Sequence, residues 1–94
     1  MNKVFLSGQV SNLPYAWVQI RFNAAAKRFS DCKVVNPTKL CKPEWSWRRC
    51  MVVCLWNLLF CDTIAMLPGW QCSRGARIEH RLAVWSRKTV IYLH

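Results

Sequence analysis

Four short, mostly apolar runs separated by helical stretches constrain this chain more than any other feature. They are Lys3–Ser7 (KVFLS), Lys33–Asn36 (KVVN), Thr63–Leu67 (TIAML) and Thr89–Leu93 (TVIYL). Between them lie three helix candidates. Tyr15–Phe29 carries Trp17, Ile20 and Ala24 on one side and Phe22, Ala25 and Phe29 on the next. Trp47–Cys61 is apolar on most of its circumference, which calls for burial against a sheet or a partner. The third candidate is Ser73–Trp85, with Ile78, Leu82 and Trp85 as its apolar side. Gly8, Pro37 and the Pro68-Gly69 pair stop the first three strands, a polar loop fills 37–45, and Ser46 and Ser73 are placed to cap the helices that follow them. This alternation predicts a parallel sheet covered on both faces, with right-handed crossovers. Ligands of such sheets sit beyond the carboxyl ends of the strands. The loops Gly8–Pro14, Pro37–Trp45 and Pro68–Cys72 therefore form the expected functional edge.

Ninety-four residues make one domain, 1–94, and 53% hydrophobic content with six Trp supports a folded core. Fourteen Lys and Arg against four acids leave a net charge of +10, which favours anionic partners: nucleotides, nucleic acid or an acidic surface. A membrane span is not expected. Asn57 and Asp62 interrupt the stretch CMVVCLWNLLFCDTIAMLPGW, and its unbroken apolar part falls short of the ~20 residues a span needs. A helix followed by a strand, both buried, fits it better. The six cysteines, at 32, 41, 50, 54, 61 and 72, contain no Cys-x-x-Cys pair, and MNKVFLSGQV does not read as a signal peptide. They read as reduced thiols in a cytoplasmic setting, with no metal site; Cys50, Cys54 and Cys61 serve as small buried hydrophobes.

One carboxylate stands out. Glu79 lies in LPGWQCSRGARIEHRLA among Arg74, Arg77 and Arg81. On a helix its face is shared with Gly75, Ala76, Leu82 and Ala83, so no local cation pairs with it. Small neighbours leave room for a ligand in front of the carboxylate, although a plain surface position accounts for the same pattern. Ser73 caps the helix and, with the first backbone N–H groups, would also receive an anion. Gly8 is a weaker signal of the same kind, since no G-x-G-x-x-G spacing accompanies it.

KVFLSG, VVNP and above all CDTIAMLPGWQCSRGARIEHRLA resemble the nucleoside 2-deoxyribosyltransferase-like family, in particular its small phage and bacterial branch. Nucleoside 5'-monophosphate N-glycosidases are related to it. The resemblance covers nearly the whole chain. It implies a Rossmann-like, flavodoxin-type three-layer sandwich of about four parallel strands, assembled as a homo-oligomer. It implies cleavage of the N-glycosidic bond of a nucleotide or nucleoside, without a cofactor, with Glu79 as nucleophile or stabiliser at the anomeric carbon. Ser73, Gly8 and Gly75 would then line the sugar or phosphate pocket. Two positions depart from the family: Cys54 stands where an Asp assists, and Phe5 where a Tyr is common. General acid–base help is typically worth 10²–10⁴-fold, so these departures imply slow turnover, or a catalytically silent nucleotide-binding or regulatory domain. A third reading, a basic nucleic-acid-binding protein, would use Arg74, Arg77, Arg81, Arg87 and Lys88.

Overall fold

The computed structural model describes residues 3–8, 14–41 and 44–93. Its elements run β1 (Lys3–Ser7), α1 (Tyr15–Lys27), β2 (Lys33–Val35), α2 (Pro37–Leu40), α3 (Trp47–Leu59), β3 (Thr63–Met66), α4 (Arg74–Trp85) and β4 (Thr89–Tyr92). The four strands form one parallel sheet in the order β2-β1-β3-β4. Phe5 is paired with Val35 on one side and Ile64 on the other, and Met66 lies between Ser7 and Tyr92.

The period of two along each strand divides the core into two layers. Val4, Leu6 and Ala65 face α1, where Val18, Phe22 and Ala25 cover them. Phe5, Ile64 and Met66 face the other way, against Cys54 and Leu58 of α3 and Ala76 and Ala83 of α4. The result is a Rossmann-like three-layer sandwich. Both central strands are buried along their visible length apart from Lys3, while β4 at the edge is largely exposed. Full burial of side chains such as Phe5, Leu6, Leu58 and Ile64 contributes about 1.5–3 kcal/mol each.

Strand order reverses between β1 and β3. From β1 the chain moves outward to β2 through α1, then returns past β1 to β3 through helices on the opposite face. The carboxyl ends at this switch are Ser7 and Met66, and between such ends α/β sheets open a crevice.

Three local expectations need correction. The stretch 37–45 is not simply a loop. Asn36 accepts the Thr38 N–H at 3.0 Å, and Pro37 occupies the first helical position, so the segment turns into the short helix α2. Residues 42 and 43 of this stretch, and 9–13 of the first crevice loop, lie outside the described residues.

The buried side of α4 is Gly75, Ala76, Glu79 and Ala83, not the one marked by Ile78, Leu82 and Trp85. Ile78 is exposed, Leu82 half-buried and Trp85 80% exposed. Small residues let the helix backbone approach the sheet closely, and that closeness outweighs the hydrophobicity of the longer side chains.

The cysteines are not all reduced thiols. Cys41, at the end of α2, is bonded to Cys50 in the first turn of α3, with Cα atoms 5.6 Å apart. The turn made by α2 brings the two together across nine residues, which local spacing does not reveal. The sequence spacing therefore gives no ground for a reducing compartment. Among the described residues no helix is long and apolar enough to cross a membrane.

Candidate functional site at the strand switch

Ser7 ends β1 on the face that carries Phe5 and so points towards α4. Its Oγ donates to Glu79 Oε1 at 2.6 Å, with Ser7 fully buried and Glu79 6% exposed. The bond joins residues 72 apart and lies at the strand switch. Burial pushes the Glu79 carboxyl up from 4.5 to about 7, and the Ser7 hydroxyl, rather than a cation, opposes that shift. At neutral pH it is therefore poised between acid and carboxylate. Arg77 and Arg81 project into solvent on the other side of α4.

The helix start positions this carboxyl. Ser73 Oγ accepts the Ala76 N–H at 3.2 Å and caps α4 as its pattern predicts. Ahead of it, Gly69 takes a left-handed φ of 85°, which lets the Pro68-Gly69 turn reverse before a single 3₁₀ turn over Trp70–Cys72. The Arg21 guanidinium donates to the Pro68 carbonyl at 2.5 Å and ties this turn to α1. On the far side of α4, Trp70 stacks on His80 with ring centres 4.4 Å apart, and His80 Nε2 shares a 2.8 Å hydrogen bond with the Tyr92 hydroxyl.

The other expected site residues fall into two groups. Phe5 and Cys54 pack in the same core cluster beneath α4. The Cys54 thiol is pushed up to about 12, first by burial and then by the charge of Glu79, so the two side chains sense each other across the α3–α4 contact. Gly8 and Gly75 are set by packing. A Cβ on Gly75 would stand 2.9 Å from Met51 Sδ and 3.6 Å from Trp47 Nε1, so the room expected beside this glycine is occupied by α3. A Cβ on Gly8 would stand 2.9 Å from Leu67 Cβ, on the α1 side of the sheet. An open cavity of about 210 Å³ lies on that same side, lined by Arg21, Arg28, Leu67, Pro68 and Leu93 among others.

Ser7 was not singled out in the sequence. The signal was available: a hydroxyl two residues beyond Phe5, at the carboxyl end of a strand, shares the Phe5 face. Asn36, at the corresponding end of β2, also went unmarked. It is buried, accepts from the Thr38 hydroxyl at 2.7 Å and donates to Asn23 Oδ1 at 3.1 Å.

Of the basic residues considered for nucleic acid, Arg74 lies over the Trp47 ring and Lys88 Nζ donates to the carbonyls of Cys61 and Leu59.

Fold and site together define a small parallel α/β domain with a buried, proton-poised carboxyl at its strand switch. The chain belongs to the family described as domain of unknown function DUF4406, whose model matches residues 2–92. No curated protein and no solved structure gives a significant match.

Proposed function

We propose that this chain acts on the N-glycosidic bond of a nucleotide or nucleoside, by hydrolysis or by ribosyl or deoxyribosyl transfer, with Glu79 at the anomeric carbon. The observation that carries this reading is the Ser7–Glu79 pair: a buried carboxyl, held at 2.6 Å by a strand-end hydroxyl, where sheets of this order open their crevice. A perturbed carboxyl in such a place is the usual mark of a working group. The resemblance to nucleoside 2-deoxyribosyltransferase-like proteins assigns the same residue.

As the C–N bond breaks, its electron pair leaves with the base, which takes up a proton from solvent, and the sugar becomes oxocarbenium-like. Ser7 holds Oε1, leaving Oε2 to stabilise that charge or to bond to the anomeric carbon. Water or a second base then completes the reaction. The reading uses no cofactor. It also takes the working assembly as a homo-oligomer. Val52, Trp56, Leu59 and Phe60 form an exposed apolar stripe along α3, and a second copy covering it would supply burial that a short chain lacks.

The low exposure of Glu79 favours one alternative, a silent nucleotide-binding domain. A single experiment separates the two: incubation of purified protein with a panel of nucleoside and deoxynucleoside monophosphates, followed by chromatography. Release of free base that disappears in Glu79→Gln is expected. No base from folded protein, with nucleotide binding by calorimetry, would overturn turnover in favour of binding alone.

A further inference from the structure

Three thiol-bearing residues converge at the junction of α2 and α3. Cys54 Sγ lies 3.8 Å from Cys41 Sγ and 3.8 Å from Cys50 Sγ, and Cys41 and Cys50 are joined to each other. All three sulfurs fall within 4.8 Å of one another. Two come from one helix face, at i and i+4, and the third comes from a separate element held in place by the Asn36 cap. Cys54 is buried, whereas Cys41 and Cys50 are half-buried and reachable from solvent.

We propose that, with the Cys41–Cys50 bridge reduced, Cys41, Cys50 and Cys54 form a three-thiolate site for a thiophilic divalent cation, with zinc as the fitting ion. Zinc binds thiolate at about 2.3 Å, so two ligands of a tetrahedral site stand about 3.8 Å apart. Cys54 already keeps that separation from both partners. Only the Cys41–Cys50 pair must open, by side-chain rotation once its bond is gone. The site stands independently of the glycosidic reading.

The chemistry balances in two steps. A phosphine or dithiol reductant supplies two electrons, and with two protons the bridge becomes two thiols. The cation then displaces one proton from each of three thiols and forms three metal–sulfur bonds, leaving a fourth position for solvent or another ligand. Metal binding ordinarily drives off such thiol protons. Disulfide and metal site are mutually exclusive, so the redox state decides which one is present.

The test uses the full chain carrying Cys32→Ser and Cys72→Ser, which removes the two more accessible free thiols. Protein reduced with a phosphine is titrated anaerobically with Co²⁺ and then with Zn²⁺, with circular dichroism followed throughout. One equivalent of cobalt giving a thiolate charge-transfer band and tetrahedral visible bands, both abolished by one equivalent of zinc, is expected. Affinity should fall at least tenfold in Cys41→Ser and in Cys54→Ala, and binding should be lost in the oxidised chain. Absence of the band in reduced, folded protein would overturn the proposal, as would an unchanged cobalt affinity in Cys41→Ser. If the reduced chain unfolds, refolding on addition of zinc supports the site, and failure to refold overturns it.

Discussion

The Ser7 hydroxyl and the Glu79 carboxyl meet at 2.6 Å although 72 residues separate them in the chain. This contact joins the end of the central strand to the second turn of the last helix. Burial raises the Glu79 carboxyl and this hydrogen bond opposes the shift; four measurable consequences follow from the pair and from packing elsewhere in the fold.

Glu79 is neutral in the fold at pH values where it would already be ionised in the unfolded chain. Its folded value, about 7, lies above the ordinary 4.5. The neutral side chain costs nothing below pH 4.5, and the penalty grows as pH rises from 4.5 through 7, to about 3 kcal/mol. Thermal denaturation of Glu79→Gln against the parent chain should show little difference at pH 4.5 and a higher melting temperature for the variant at pH 8. In the glycosidic reading, the rate should rise with pH through about 7, because the carboxylate is the reactive form.

Ser7→Ala removes a hydrogen bond that favours the charged form. The Glu79 carboxyl should then titrate above its present value, observable by carbon NMR of a labelled side chain. Stability at pH 8 should drop by about 1–3 kcal/mol, the cost of leaving a buried group unsatisfied.

The two packed glycines should respond unequally to a methyl group. At Gly75 the obstacle is Met51 Sδ, near the end of a flexible side chain, and in the first turn of α4 Gly→Ala gains at most the ~1 kcal/mol seen in a helix interior. Gly75→Ala should be close to neutral. At Gly8 the obstacle is Leu67 Cβ, fixed to its backbone, so β1 and the segment after β3 must part. Gly8→Ala should cost about 1–3 kcal/mol in chemical denaturation.

Arg87 holds a left-handed φ of 62° just past α4. Its N–H donates to the Val84 carbonyl and that of Lys88 to Ala83, the paired closure that glycine favours at a helix end. Arg87→Gly should raise stability by up to about 1 kcal/mol, measured by urea unfolding.

Much of this structure is legible in the sequence. β1 has the bounds its pattern predicts, and Ser46 and Ser73 cap the helices they precede. These features depend on contacts within a few residues. The rest depends on contacts across the chain. The Cys41–Cys50 bridge needs α2, a four-residue helix that breaks no hydrophobic period. The buried side of α4 is written in glycine and alanine, which hydrophobicity scales undervalue because they reward size rather than closeness. Ser7 is an ordinary strand residue until α4 is laid over it. The protonation of Glu79 follows from burial, which no local pattern encodes.

The place of β1 at the middle of the sheet also governs how the protein is made. Made before their neighbours, Val4, Phe5 and Leu6 have no partner strand until residue 33 appears and are not enclosed on both sides until β3 has been synthesised. Of the four strands, the first made is thus the one that waits longest for its neighbours, and long-range parallel pairing is slow to form. A nascent chain halted before residue 63 has half a sheet and no switch point. Glu79 arrives later still, so the Ser7–Glu79 contact forms only after β1, β2, β3 and the first half of α4 have been made.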